Sequence, residues 1–225
     1  MPVHLVYKPI RAPREHGQAL VEPAWELAAG LIEQNRHLAA QAAYDVQGVP
    51  LQRLRTEARR HLLQEAQRHT RAYRDADPAA GEDGPFILAG HQPQLFHPGV
   101  WFKNFALSAL ARKWGGQAIN LLIDNDILRN PSIRVPAGSA AKPHVISVPM
   151  DRVVETIPFE QREVADEELF GSFADRVREA GSEVLAQPLI EDYWKLVLEA
   201  RRRSSNLGRC LAEARHRLEG GWGQD

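Results

Sequence analysis

The sequence has almost no cysteine and no long apolar run, and each absence excludes a class of protein. Cys210 is the only cysteine among 225 residues, so we expect neither an internal disulfide nor a cluster of thiolate metal ligands. No apolar run approaches the roughly 18 residues that indicate a transmembrane helix, so we expect no membrane span. The net charge of -1 gives no reason to expect nucleic acid or an anionic membrane as a partner.

Several well-known site motifs are also missing. The chain contains no Walker loop, no GxGxxG, no HExxH and no GxSxG. Its first residues lack the charged-then-apolar layout of a secretory signal. The composition, 44% hydrophobic and 25% charged, is that of an ordinary globular protein. A cytoplasmic protein is therefore expected.

The most informative stretch, Phe86 to Asp126, predicts a strand, a polar loop, a helix and a second strand. Phe86 to Ala89 is a short apolar run that suits a buried strand. The apolar period becomes helical from Val100, and Gly115-Gly116 ends that helix. Ala118 to Ile123 is a second apolar run. The pattern predicts a βαβ unit with parallel strands, whose ligands bind outside the carboxyl ends of the strands.

Polar residues follow both predicted strands at that carboxyl edge, and they form the candidate site. His91 and His97 are the candidate catalytic residues, because a loop imidazole can act as acid or base, or donate to phosphate, near neutral pH. Asp124 and Asp126 point the same way in extended backbone and could hold Mg²⁺ or Mn²⁺, or bind ribose or amine groups. The other candidate ligand-binding residues are Gly90, Gln92, Gln94, Gly99, Lys103 and Asn104.

The loop and the helix that follows it contain the groups an anion needs. Gln92 and Gln94 supply neutral donors and acceptors, and Lys103 places an ammonium one turn into the helix. The free amides of the helix start near Gly99 favour negative charge. A structural alternative stays open for every one of these groups. The imidazoles could bond loop backbone, one aspartate could cap a turn, and Lys103 and Asn104 could face solvent.

The segments on either side of this stretch are expected to be structural. Residues 3–7 suit a first strand, and the helices predicted near 22–44 and 51–74 suggest an antiparallel hairpin joined by a short Gly-Pro turn. We therefore place residues 1–80 in an N-terminal strand and helical hairpin. Residues 81–225 are assigned to an α/β core, a Rossmann-like parallel sheet with flanking helices.

The C-terminal part is expected to be mostly helical. After Asp126 the sequence suggests an irregular segment or edge strand at 127–136, a loop at 137–143 and a strand at 144–150. Helices are predicted near 167–180, 189–203 and 207–218. The chain ends soon after a Gly-Gly-Trp-Gly turn that includes Trp222. One interpretation is that this polypeptide is the N-terminal portion of a longer, truncated protein; the other is a frayed tail.

Residues Gly90 to Gly99 (GHQPQLFHPG), with Lys103 and the acidic stretch Asp124 to Asp126, resemble the start of the BshC family of cysteine ligases in bacillithiol synthesis. That family has a Gly-Gln-Gln-x-x-Leu-Phe-x-Gly-Pro-like loop after the first Rossmann strand. It also has a lysine on the ensuing helix and an acidic stretch after the next strand. Here His91 replaces the first glutamine. The resemblance implies a Rossmann-like core with a ligand loop at His91 to Gly99.

A fainter likeness exists to the HxGH signature of nucleotidyltransferases, whose histidines meet nucleotide phosphates at a helix start. The segment from His97 to Val100 keeps the first histidine and the glycine of that signature but has valine in its last place. The likeness supports anion binding at the start of the predicted helix.

The leading hypothesis is a ligase-like or transferase-like enzyme that binds a small anionic or nucleotide-like substrate at this edge. A second hypothesis is a metal-dependent sugar-nucleotide transferase, which rests on Asp124 and Asp126. A third is a non-catalytic binding or assembly module, in which the narrow apolar stripe of the Leu51 to Tyr73 helix would form a homo-oligomer. The cofactor stays open between a nucleotide and Mg²⁺ or Mn²⁺.

Overall fold

The computed structural model describes residues 10–75, 84–95, 97–139 and 141–223. The chain forms two compact units, one ending at Ala58 and the other beginning at Arg59. The strand expected at residues 3–7 lies outside the described residues. Within them, no helix combines the length and the apolar character needed to cross a membrane.

The N-terminal unit contains helices separated by a small hairpin. A 3₁₀ helix, Trp25–Leu27, leads into α1, Ala28–Gln41. Strands β1, Asp45–Val46, and β2, Val49–Pro50, pair antiparallel. Both residues of their turn, Gln47 and Gly48, have positive φ, which suits a two-residue hairpin loop. Helix α2, Leu51–Arg71, begins directly after β2 and continues into the second unit.

The second unit contains the predicted βαβ element. Strands β3, Phe86–His91, and β4, Gln117–Leu122, are parallel, with Phe86 opposite Gln117 and His91 opposite Leu122. Helix α3, Pro98–Lys113, connects the two strands and packs against both. The carboxyl ends of β3 and β4 therefore lie side by side, and the candidate residues follow each of them.

An antiparallel pair follows, formed by β5, Ser132–Ser139, and β6, Lys142–Pro149. The prediction of a loop at 137–143 was wrong for most of that segment. The segment contains Pro143, but in a two-stranded sheet both strands are edges, where a proline without an amide hydrogen is tolerated. Gly138 continues the strand with a φ of 77°.

The C-terminal helices build the main core with the β5–β6 pair. Helices α4, Glu167–Gly171, and α5, Phe173–Gly181, replace the single helix predicted there, and α6, Ile190–Arg201, and α7, Leu207–Gly221, follow. The largest fully buried side chains of this core are Phe170, Phe173, Trp194, Leu207 and Leu211.

This part of the chain also contains a buried ion pair and a buried cysteine. The Asp151 carboxylate is buried and accepts hydrogen bonds from Arg162 Nη2 at 2.8 Å and from the backbone amides of Ala165 and Asp166. Cys210 is fully buried within the hydrophobic cluster, and burial raises the pKa of its thiol to about 11. A thiol in that state is a packing residue rather than a nucleophile.

Candidate functional site

The polar segments that follow β3 and β4 meet at the carboxyl edge of the parallel pair. Gln92 Nε2 donates a hydrogen bond to Asp126 Oδ2 at 2.5 Å, across 34 positions of sequence. Asp126 Oδ1 accepts from the amide of Ile127 at 2.7 Å. These two hydrogen bonds, that of Gln92 first, lower the pKa of the Asp126 carboxyl. The carboxylate is therefore ionised near neutral pH and lies beside the loop.

The loop after β3 is held by its apolar residues. Pro93 is fully buried and lies against Gly208 of α7, where a Cβ would come within 2.9 Å of Pro93 Cγ. Leu95 packs against the main core. Because the backbone is fixed at both positions, binding a ligand here would cost little conformational entropy.

Backbone hydrogen bonds from the 3₁₀ helix Phe159–Gln161 hold the acidic segment in place. The Phe159 amide donates to the Asp126 carbonyl at 3.0 Å, and the Glu160 amide donates to the Asp124 carbonyl at 2.9 Å. Phe159 is fully buried and also contacts Gly208. The loop after β3 and the acidic segment after β4 are therefore held by the same two features, the start of α7 and the Phe159 ring.

His97 caps helix α3. Its Nδ1 accepts a hydrogen bond from the Gly99 amide at 3.0 Å, and Pro98 occupies the first helical position. This is the structural alternative that the sequence left open for a histidine. An imidazole that accepts at Nδ1 in its neutral form carries its proton on Nε2. His97 therefore presents an N–H donor at the exposed start of the helix.

His91 and Lys103 lie close to the end of β3. The His91 ring nitrogen Nδ1 is 3.2 Å from the Gln92 carbonyl oxygen, and Lys103 Nζ donates to the Gly90 carbonyl at 2.6 Å. Partial burial, with a smaller effect of the Arg215 charge, lowers the pKa of Lys103. The ammonium thus reaches back from α3 to the carboxyl end of β3.

The other two loop candidates are placed by the backbone. Gln94 is half-buried, and Gly99 is exposed in the first turn of α3. A Cβ on Gly99 would lie 3.2 Å from His97 Nδ1, so a larger residue would crowd the capping hydrogen bond. Glycine here keeps the amide accessible to the cap.

Asn104 lies apart from the other candidates. It is only 3% exposed, and its Nδ2 donates to Glu219 Oε1 on α7 at 2.9 Å. Consecutive helical residues point about 100° apart, so Lys103 and Asn104 of α3 cannot both face the loop. Asn104 instead belongs to a buried polar cluster behind α3.

Sequence reasoning did not connect Asn104 with the other members of that cluster. Trp101 Nε1 donates to the same Glu219 Oε1, and Arg215 Nε lies 3.5 Å from it. One signal was present in the sequence: Arg215 and Glu219 stand four residues apart on the apolar face of α7. Charged residues at such positions are seldom buried unless they are paired.

Within the part of the chain that the structure describes, the acidic pair does not belong to a larger ligand cluster. Among the described residues, no group of three or more His, Cys, Asp or Glu side chains is arranged to hold a metal ion. Asp124 and Asp126 are both exposed, and each Asp126 carboxylate oxygen already accepts a hydrogen bond.

Comparisons with models of protein families, with curated proteins and with solved structures found no match to this chain. The functional interpretation therefore rests on the geometry and chemistry of the residues themselves.

Proposed function

We propose that the protein is an enzyme that binds a small anionic or nucleotide-like substrate at the edge where β3 and β4 end. The hydrogen bond from Gln92 Nε2 to Asp126 Oδ2 carries this proposal. It joins the segment after one parallel strand to the segment after the next. In open α/β sheets, ligands bind outside the carboxyl ends of the strands.

Each candidate group has a role at this edge. The Lys103 ammonium, the amides at the start of α3 and the His97 Nε2–H donor provide the positive side of the site for a phosphate or carboxylate. The ionised Asp126 carboxylate accepts hydrogen bonds from hydroxyl or amine groups of the substrate. His91 is the proposed acid–base residue, since imidazole exchanges protons near neutral pH.

The finer proposal is a Rossmann-like core, preceded by a helical hairpin, with ligase-like or transferase-like chemistry similar to that of the BshC family. The parallel β3–α3–β4 unit, with Lys103 on its helix and Asp126 beyond its second strand, supports this proposal. In a condensation of this class an attacking amine or thiol loses its proton as it bonds to the electrophilic atom of the second substrate, and the group displaced from that atom leaves with the electron pair of the broken bond. His91 is assigned to accept that proton.

A metal-dependent sugar-nucleotide transferase is a weaker proposal. Mg²⁺ is usually held by one or two carboxylates together with substrate phosphates, and Asp124 and Asp126 could supply them. The hydrogen bonds that Asp126 already makes favour the leading proposal, in which its carboxylate accepts hydrogen bonds and does not bind a metal ion. An assembly module without catalytic activity would show a concentration-dependent mass and no affinity for any of these ligands.

Calorimetric titration with ATP and with a sugar nucleotide, each with and without Mg²⁺, tests the proposal. We expect binding by the wild type and a loss of about tenfold or more in affinity for Lys103→Gln, since a charge-assisted hydrogen bond contributes about 1.5–3 kcal/mol. Lys113→Gln is the matched control, because Lys113 is exposed at the far end of the same helix.

Two results would argue against this site. If Lys103→Gln and Lys113→Gln weaken binding equally, the effect is one of net charge and not of the loop edge. If the wild type binds only when Mg²⁺ is present, and Asp124→Asn and Asp126→Asn abolish that binding, the metal-dependent transferase replaces the leading proposal.

A further inference from the structure

A cavity of about 570 Å³ lies within the second unit, between the C-terminal half of α2, α3, β4 and α7. Sites for small molecules have volumes of about 300–1,000 Å³, with mostly apolar walls and a few well-placed polar groups. The cavity faces Asn104 and not the loop edge, because Asn104 and Lys103 point in different directions from α3. It is therefore distinct from the site proposed above.

One end of the cavity is polar and fixed by hydrogen bonds. Tyr73 Oη lies 2.8 Å from His216 Nδ1, and Arg74 Nη1 donates to the His216 carbonyl at 3.3 Å. The side chains of Arg215 and Glu219, which also line the cavity, are 9% and 3% exposed. These groups come from the turn that follows α2 and from α7, which are far apart in sequence, and they line one space.

The other walls are mixed. Their apolar side chains include Leu63 and Ala66 from α2, Leu107 and Ala111 from α3, and Ile119 from β4, and polar side chains such as Gln67, Thr70 and Ser108 also line the cavity. Leu63 and Leu107 are buried, at 7% and 6% exposure. A ligand that fits has an apolar body and a polar end directed at the cluster of Tyr73 and His216.

The charges around the cavity as a whole favour an anion. Three arginines line the cavity, Arg74, Arg112 and Arg215, against two carboxylates. Glu219 is already engaged by Arg215, Trp101 and Asn104. The pKa of His216 is lowered to about 4, first by burial and then by the charges of Arg74 and Arg215 and by His69. Of these causes only the two arginine charges favour an anion, because burial disfavours unpaired charge of either sign.

Gly220 allows Arg74 to lie where it does. A Cβ on Gly220 would come within 2.7 Å of both Cζ and Nε of Arg74. The missing side chain thus leaves room for the guanidinium against the last turn of α7, next to His216. This close approach holds a cation at the polar end of the cavity.

We propose that this cavity binds a small organic anion, in which a carboxylate or a phosphate ester is attached to an apolar body. The anionic group contacts the polar end at Tyr73 and Arg74, and the apolar body lies between α2 and α3. Carboxylates and phosphate esters share the acceptor oxygens that guanidinium groups bind. The probes of the test separate the two.

Calorimetry of the full chain with benzoate, phenyl phosphate and benzamide tests this inference. We expect at least one of the two anions to bind at concentrations below about 10 mM, and benzamide, the neutral analogue, to bind at least about tenfold more weakly. Binding of phenyl phosphate alone assigns the phosphate ester, and binding of benzoate alone assigns the carboxylate.

Variants locate the binding. Ala66→Phe fills part of the cavity and is expected to weaken binding at least about tenfold, whereas Gln64→Phe, on an exposed position of the same helix, leaves it unchanged. Arg74→Met keeps most of the side-chain volume but removes the cation. It is expected to lower the affinity for the anion by about tenfold. Circular dichroism checks that each variant is folded.

Several results overturn the inference. These are no binding of either anion to the wild type, equal binding of benzamide, or wild-type affinity in both Ala66→Phe and Arg74→Met. The loop-edge variant Lys103→Gln separates this inference from the proposed function. It is expected to weaken the binding of ATP and to leave the binding of benzoate and phenyl phosphate unchanged.

Discussion

His97 accepts a hydrogen bond from the Gly99 amide, so its imidazole does for α3 what serine or aspartate does at many helix starts. We expect His97→Ala to lower the free energy of unfolding by about 1 kcal/mol, because one amide of the first turn loses its acceptor. His97→Asn retains an acceptor and should recover most of that loss. Urea unfolding measures both variants, and equal stabilities for the two would contradict the capping role.

Gln92 is the largest cause of the lowered pKa of the Asp126 carboxyl. Replacing it with alanine removes the hydrogen bond at 2.5 Å, so we expect the Asp126 pKa in Gln92→Ala to rise towards its ordinary value. Carboxyl-carbon NMR titration measures the change. Gln94→Ala, which alters a neighbouring amide of the same loop, is the control. An unchanged pKa in Gln92→Ala would mean that the two segments do not meet in solution.

The sequence predicted which residues of the loop are polar, but it could not assign their partners. Lys103 and Asn104 are neighbours of similar polarity, yet one reaches Gly90 and the other is buried against Glu219. The difference depends on which face of α3 packs against α7, a helix more than a hundred residues later. Local pattern carries no information about that contact.

Helix α7 supports the site through the small residue near its start. Gly208 leaves space for Pro93 and Phe159, which anchor the loop and the acidic segment. Gly208→Ala would force a Cβ to within 2.9 Å of Pro93 Cγ, and overpacking of this kind costs about 1–3 kcal/mol. We expect lower stability in thermal or urea unfolding and weaker binding at the loop edge.

Gly221→Ala is the matched control for that substitution. Gly221 is in the last turn of the same helix, and a Cβ there would meet nothing within 4 Å. It should therefore leave stability and binding close to those of the wild type. If the two alanine variants behave alike, the contact of Gly208 with the loop does not support the site.

The elements that were predicted well are those with a strong local signal. Strands β3 and β4 are short apolar runs bounded by glycine or polar residues, and α3 has a helical period between them. Strand β5 was predicted only in part, since Pro136 and Gly138 normally break a strand. Its pairing with β6 overrides that local preference.

Across the whole molecule, buried histidine couples stability to pH. The pKa of His216 is about 4 in the folded chain, against an ordinary value of 6.5, because of burial and then the charges of Arg74 and Arg215 and the nearby His69. The unfolded chain therefore binds the extra proton first as pH falls. Stability contributed by the neutral imidazole is present above about pH 6.5 and is lost as pH falls towards 4.

We expect His216→Gln to reduce this pH dependence, since glutamine does not titrate and can still pair with the Tyr73 hydroxyl. The loss in the wild type between pH 7 and 4 should exceed that in the variant by on the order of 3 kcal/mol. Urea unfolding at a series of pH values measures both. Parallel pH profiles for the two proteins would contradict the buried, neutral state of His216.

The cavity could not be predicted from the sequence for a related reason. Its polar groups come from residues near 73, 104 and 216, which tertiary packing alone brings together. The loop edge was predictable because two parallel strands joined by one helix bring their carboxyl ends together by geometry alone.

The most direct test of the account is an amide-resolved NMR titration of the chain with ATP, with and without Mg²⁺. If one ligand binds where β3 and β4 end, resonances of Gln92 and of Asp126 shift together and give a single dissociation constant. Shifts confined to one of the two segments, or absent from both at millimolar ATP, would contradict it.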